Sequence, residues 1–358
     1  MDDSLLADVE YRDWADDVSG TVRFALVGMG WWTTEFVIPA IEASEHCETT
    51  TVVSGGAEKR ERAVADHESI TTALSYDEFV AGDGADEYDA VYVCTPNALH
   101  LEYVEAAVER GKDVLVEKPM EATEERAAAL VDAAESADDA TVMVAYRMHT
   151  EPTARYARAL VRDGVIGTPQ LVHGQMSQVL LDVIEDPDQW RLDPDLSGYG
   201  TSVMDIGIYP LNTARFVLDA DPVAVQSMMS SEASAFAAVP DEVATIEVAF
   251  DDGTLATVGT SQNAAETSRL DIIGTDGRIA MDPAFHGVTE LTVSVGDETV
   301  SVDLPQVDQM EEEFEYFATR LLADEPVHAD PAHGLTDMAT IAAIHEAAET
   351  AERVDVDR

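Results

Sequence analysis

The sequence predicts an α/β fold: an N-terminal doubly wound parallel sheet, then a C-terminal α+β domain with a large open, mainly antiparallel sheet. Three observations predict it. Apolar strand-like runs alternate with helical patterns up to about residue 150. Polar and glycine residues recur just after the strand ends, where open α/β sheets bind their ligands. From Val223 onward, short β-rich runs separated by turns such as Asp251-Asp252-Gly253 and Asp276-Gly277 replace that alternation. The expected division is an arm over residues 1–20, a dinucleotide-binding domain over 21–150 and a substrate and oligomerisation domain over 151–358.

The first strand, Val22 to Val27, runs into Gly28-Met29-Gly30-Trp31-Trp32-Thr33, and a helix follows through Phe36, Val37, Ile38 and Ile41. Strand, glycine turn and helix together make a G-x-G pattern informative. Gly28 permits a tight turn, Gly30 lets the backbone approach a pyrophosphate, and the helix N-terminus offers N–H donors. Thr33 replaces the third glycine of the full Rossmann pattern. Trp31 is expected over the cofactor and Trp32 packed beneath the helix. The next strand, Thr50 to Val53, ends at Ser54, with Lys59 and Arg60 opening the following helix. A hydroxyl and two cations suit the 2′-phosphate of NADP, whereas NAD enzymes place an acid there. The competing reading leaves both cations solvated and gives the ribose to Glu58.

Ala90 to Cys94 forms a buried strand ending in Thr95-Pro96-Asn97, with His100 on the next helix. Asp113 to Val116 leads to Glu117-Lys118-Pro119-Met120, where proline stops the strand. The chain has only three lysines, Lys59, Lys112 and Lys118, so a lysine at a strand end is a candidate for chemistry rather than solubility. Thr123 is a plausible helix N-cap. The last strand of this half, Thr141 to Ala145, leads to Tyr146-Arg147.

In the C-terminal half, a loop carrying Trp190-Arg191-Leu192 and Gly198-Tyr199-Gly200 precedes a helical stretch from Ser202 to Val217. Asp205 and Tyr209 are four residues apart and share one face of it. Periodicity alone favours an exposed acid beside a half-buried tyrosine. The glycine-rich loop in front of the pair suggests proton transfer and substrate hydroxyl binding. Two helices near Gln309 to Leu322 and Leu335 to Arg353 close the chain, and Glu311-Glu312-Glu313 reads as a solvated first turn.

Composition narrows the function classes. Twenty basic against 72 acidic residues give a formal net charge of −52. Regular apolar segments argue against acidic disorder, so the charge reads as adaptation to a salt-rich cytoplasm, where screening acts within a few ångströms. Nucleic acid and anionic membranes are poor partners for such a surface. Cys47 and Cys94 form no metal-like spacing, and no metal is expected. No apolar run approaches the roughly 20 residues of a membrane helix. The acidic start of the chain is the opposite of a secretion signal, so a cytoplasmic location is expected.

Taken together, Gly28-Met29-Gly30, Thr95-Pro96-Asn97 with His100, Glu117-Lys118-Pro119, Tyr146-Arg147 and Asp205-Ile206-Gly207 with Tyr209 resemble the glucose–fructose oxidoreductase/inositol dehydrogenase family. The resemblance covers residues 21 to about 350. It implies an NAD(P)-dependent oxidoreductase with a Rossmann domain and an open sheet that commonly forms the homo-oligomer contact. By matching position, Lys118 is the catalytic lysine, and Asp205 and Tyr209 are the substrate-side pair. Trp190 joins Lys118, Asp205 and Tyr209 as a substrate contact. Gly28, Gly30, Trp31, Thr33, Ser54, Lys59, Arg60, Thr95, Pro96, Asn97, His100, Glu117 and Arg147 are the expected NADP contacts.

Tyrosine at position 209, where many members carry histidine, is similar to the branch acting on aldoses. The resemblance therefore implies oxidation of a cyclic sugar at its anomeric carbon, with Tyr209 as phenolate base. A free tyrosine has a pKa of about 10, so a nearby ammonium such as Lys118 is needed to favour the phenolate. Three rivals share the cofactor site: a cyclitol or other secondary-alcohol dehydrogenase, a glucose–fructose type transhydrogenase that keeps its nucleotide, and a dinucleotide-sensing regulator without chemistry.

Overall fold

A computed structural model describes residue 14 and residues 18–137 and 139–357. Most of the expected arm lies outside the described residues. The strands, in chain order, are β1 (Val22–Val27), β2 (Cys47–Val53), β3 (Thr72–Leu74), β4 (Ala90–Val93), β5 (Asp113–Glu117), β6 (Val142–Ala145), β7 (Pro169–Val179), β8 (Pro222–Ser230), β9 (Val243–Phe250), β10 (Leu255–Ser261), β11 (Asn263–Gly274), β12 (Gly277–Met281), β13 (Leu291–Val295), β14 (Glu298–Val302) and β15 (Val354–Asp355). The helices are α1 (Ile38–Ala43), α2 (Ala57–Asp66), α3 (Tyr76–Ala81), α4 (His100–Val108), α5 (Glu124–Glu135), α6 (Pro152–Arg162), α7 (Leu180–Val183), α8 (Pro194–Ser197), α9 (Ile208–Leu218), α10 (Gln309–Ala323) and α11 (Pro331–Thr350). Two widened, π-helical turns stand outside this numbering, at Thr33–Val37 and Val203–Gly207. Such turns are rare and concentrate at functional sites.

One unit comprises residues 14–147 and 308–335. Its six strands are all parallel, in the order β3-β2-β1-β4-β5-β6. Order reverses between β1 and β4, the place where an open sheet leaves a crevice at its carboxyl edge. The central strands are buried along their length, which explains their unbroken apolar sequence. The Thr123 side chain accepts from Arg126 N and caps α5. α10 belongs here rather than with the rest of 151–358. Phe314 meets Phe24 of β1 edge-on at 5.2 Å and Tyr92 of β4 at 5.1 Å, filling an apolar face the nearer helices leave open.

The other unit comprises 148–307 and 336–358 among the described residues. Its sheet has nine strands in the order β14-β13-β12-β11-β7-β10-β9-β8-β15. Every pairing is antiparallel except β7 with β10, which run parallel. Alternating burial along β9 shows one face packed and one open. Leu171, Met228, Val243 and Leu255 are exposed. On the packed side α9 crosses β7 at Gly174, where an added Cβ would lie 2.6 Å from the Pro210 side chain. No helix among the described residues is long and apolar enough to cross a membrane.

A buried polar network fixes α9. Asn212 Nδ2 donates to Asp337 Oδ2 at 2.7 Å, Arg215 Nη1 to Asp337 Oδ1 at 2.6 Å, and Arg215 Nη2 to Asp221 Oδ1 at 2.6 Å. Asp337 and Arg215 side chains are 3% and 4% exposed, so removing Asp337 strips the buried guanidinium of its buried acid and leaves it the partly exposed Asp221. Asp337→Ala is therefore expected to lower stability by about 3–5 kcal/mol, read from denaturant midpoints in concentrated salt.

Candidate active site

The carboxyl edge of the parallel sheet gathers most of the residues that the sequence singles out. Gly28 follows β1 with φ 105°, and its N–H bonds Val53 O at 3.0 Å. A Cβ there would lie 2.2 Å from Cys94 O, so only glycine lets this turn close against the end of β4. Beside Gly30 nothing stands within 4 Å of a Cβ position, leaving its backbone open to a ligand. Thr33 is fully buried, and its hydroxyl donates to Gly28 O at 2.6 Å. Its side chain thus braces the loop's own turn instead of facing a ligand, as was expected of it.

Trp31 is 48% exposed. Trp32 does not sink beneath the helix as expected: it stacks on Phe36 at 4.6 Å and lies under the Arg147 guanidinium at 5.2 Å. At the end of β2, buried Ser54 accepts from Gly56 N at 3.3 Å. Lys59 Nζ donates to Met29 O at 3.0 Å, and the Arg60 guanidinium donates to Ser54 O. Both cations therefore bend back over the ends of β1 and β2. Thr95, at the end of β4, is buried with a hydroxyl that has no hydrogen-bond partner among the described residues. A crevice with an open glycine backbone, an unpartnered hydroxyl and two cations fits a phosphorylated dinucleotide.

His100 is a correction. It is fully buried, with Nδ1 3.2 Å from Met120 O and Nε2 3.0 Å from Thr95 O. Its ring ties two strand-end loops together and does not face a ligand. Burial lowers its pKa. Next to it, fully buried Glu121 accepts from Arg126 Nε at 2.9 Å and from Leu101 N at 3.1 Å, anchoring the turn after Lys118. Sequence reasoning missed Glu121.

Glu117 accepts from Tyr92 OH at 2.6 Å and from Lys118 N at 3.1 Å. Lys118 is half-buried, and the Lys118–Pro119 peptide is cis. Glu313 of α10 is the second correction: expected in a solvated turn, it is 1% exposed. Burial first, then the charge of Glu117, pushes its carboxyl well above the usual range, with Arg147 and Lys118 pulling the other way. The sequence signal was the helical period itself, since Met310 and Phe317, three residues before Glu313 and four after it, put Glu313 on the core face.

In the other unit, the widened turn Val203–Gly207 carries Asp205 and passes directly into α9, which carries Tyr209. Both are half-buried. Asp205 Oδ2 accepts from Arg191 Nε at 3.1 Å and from Gln262 Nε2 at 2.8 Å, which fixes the orientation of an acceptor-only group. The Arg191 guanidinium lies 4.5 Å over the Trp190 ring, so one chain of contacts runs from Asp205 to the tryptophan. The Tyr209 ring has His286 at 5.5 Å and Phe285 at 6.1 Å. Gln262 and His286 come from distant stretches that bore no motif. Among the described residues, no group of three or more His, Cys, Asp or Glu is placed to hold a metal ion.

Asp241 supports this turn from below. It accepts from Thr201 N at 2.7 Å and Val203 N at 2.8 Å, and a Cβ on Gly200 would lie 2.3 Å from its Oδ1. Burial raises its pKa from 3.8 to about 6, against the pull of the Val203 and Thr201 N–H groups. The folded state then binds more protons than the unfolded state in this range. Stability from this group is full below about pH 4 and is lost as pH rises through about 6. Asp241→Asn is expected to remove that falling component, on the order of 3 kcal/mol, from the stability–pH curve measured by denaturation.

Two family models match the chain: "Oxidoreductase family, NAD-binding Rossmann fold" over residues 22–146 and "GFO/IDH/MocA C-terminal domain" over 154–280. The chain is 49% identical over 359 aligned residues to the D-xylose 1-dehydrogenase [NADP(+)] of Haloarcula marismortui, covering 99% of each. It is 34% identical to D-xylose 1-dehydrogenase (NADP(+)) 2 of Haloferax volcanii, over 94% of this chain and all of that one. The structure resembles the aldose-aldose oxidoreductase of Caulobacter crescentus complexed with glycerol, with a TM-score of 0.87, 30% identity, and 94% and 99% coverage. With both halves matched and the glycine turn, Glu-Lys-Pro turn and Asp205–Tyr209 pair in place, this chain belongs to the GFO/IDH/MocA oxidoreductase family.

Proposed function

We propose that this chain is an NADP-dependent dehydrogenase that oxidises a cyclic aldose, D-xylose foremost, at C1 to the aldonolactone. The 49% identity over 99% of both chains to the Haloarcula enzyme carries the reading. The nicotinamide of bound NADP supplies the hydride acceptor. Gly28 and Gly30 admit the pyrophosphate, Ser54, Lys59 and Arg60 take the 2′-phosphate, and Thr95, Pro96, Asn97, Glu117 and Arg147 line the nicotinamide side. Tyr209, as phenolate, removes the C1 hydroxyl proton. The Lys118 ammonium holds a sugar hydroxyl. Asp205, oriented by Arg191 and Gln262, accepts from ring hydroxyls, and Trp190 offers a flat face to the sugar.

The likeness to an aldose-aldose oxidoreductase supports a second reading, a transhydrogenase that retains its nucleotide. Nucleotide released on denaturing the freshly purified protein would favour it; its absence favours the dehydrogenase. The open face of the nine-stranded sheet, with a groove lined by His173, Gln226, Met228, Glu247 and Arg269, supports a homo-oligomer contact. The net charge of −52 supports work in a salt-rich cytoplasm.

Tyr209→Phe, assayed with saturating D-xylose and NADP in concentrated salt, is expected to lower kcat by roughly 10²–10⁴-fold. Near-normal turnover would remove the proposed base. Lys59→Ala with Arg60→Ala is expected to lower kcat/KM for NADP by about tenfold or more while sparing NAD, since each charged contact contributes about 1.5–3 kcal/mol. An unchanged NADP/NAD ratio would return both cations to the solvated surface.

A further inference from the structure

Outside the residues already given roles, the buried carboxyl of α10 stands apart. Glu313 is 1% exposed, and its Oε1 has no hydrogen-bond partner among the described residues. Phe314 locks the position by packing on Phe24 and Tyr92, and Phe314 O accepts from Cys47 Sγ at 3.4 Å. The charged groups facing Glu313 come from two places: Glu117 and Lys118 at the end of β5, and Arg147 after β6. Tyr92 of β4 feels both Glu117 and Glu313, with the thiol of Cys94 also near it. Glu117 already accepts from the Tyr92 hydroxyl and from Lys118 N. Two neighbouring carboxylates repel, and the fully buried one, whose Oε1 has no donor among the described residues, keeps its proton.

We propose that Glu313 is a positioning residue for Lys118: it stays a protonated carboxylic acid beside Glu117, so that one carboxylate rather than two faces the ammonium. A second carboxylate would hold the Lys118 charge more tightly at the strand end and weaken its hold on a substrate hydroxyl. Loss of the Glu313 proton at alkaline pH therefore slows turnover in a way a purely structural glutamate does not. This inference rests on the role given to Lys118 under Proposed function.

Infrared spectroscopy of the intact protein without ligand tests it directly. At neutral pH the parent should show a protonated-carboxyl C=O band that is missing from Glu313→Gln. Glu117→Gln, which removes the neighbouring charge, should shift the loss of that band to lower pH by about one unit or more. With D-xylose and NADP, the ratio of kcat for Glu313→Gln to parent should rise roughly threefold or more as pH climbs from neutral through the band's disappearance, because only the parent gains the second carboxylate. A neutral-pH band that survives Glu313→Gln overturns the proposal, as does a parent band insensitive to Glu117→Gln if the first variant does not fold. Identical kcat–pH profiles for parent and Glu313→Gln also overturn it. Failure to oxidise any sugar would sink the aldose reading, while the infrared arms still decide the protonation of Glu313.

Discussion

The parallel-sheet unit depends on the approach of the β1 turn to the end of β4. At that point the strand order reverses, and Gly28 comes so close to Cys94 O that a side chain has no room. The constraint propagates outward. The turn carbonyl receives the Thr33 hydroxyl, a widened helical turn follows, and Trp32, stacked on Phe36, lies beneath Arg147. Lys59 reaches back to the same loop at Met29 O. A tight backbone contact thus organises cations from two later elements around one crevice.

The distribution of positive charge tells a consistent story. With 20 cations against 72 acids, some arginines pair with exposed acids, as Arg158 does with Asp219, while others meet acids removed from water. Arg126 meets Glu121, Arg215 meets Asp337, and Asp271 lies between Arg269 and Arg278. Arg191 holds Asp205. An exposed carboxylate is solvated and screened by salt, whereas a buried one needs a partner or a proton. Where no arginine reaches, as at Asp241, backbone N–H groups take that place.

What was legible in the sequence followed from local rules. Gly28, Ser54, Thr95, Lys118 and Arg147 each follow a strand, and strand ends are readable from apolar runs and the turns that stop them. The Asp205–Tyr209 spacing survived even though the backbone there is a widened turn joined to a helix. What was not legible depended on which distant element arrives. His100 looked like a ligand residue because it follows a motif, yet the carbonyls of Thr95 and Met120 enclose it. Glu313 looked solvated because it sits in an acidic run, yet Phe314 beside it anchors that helix to β1 and β4. Asp241 and Gln262 carried no local pattern. The single parallel pair, β7 with β10, was equally hidden, since turn residues report hairpins and not which strands end up side by side.

The return of α10 to the first sheet also has a consequence for biosynthesis. β1 is made well before the aromatic face that covers it, which is translated only after β7 to β14 of the other sheet. During translation, the apolar surface around Phe24 and Tyr92 must wait, uncovered, while residues 148–307 are added. Contacts between such distant stretches carry a large loop-closure cost and form late. A ribosome stalled before residue 308 would display an incomplete dinucleotide unit even though every strand of its sheet had already been made.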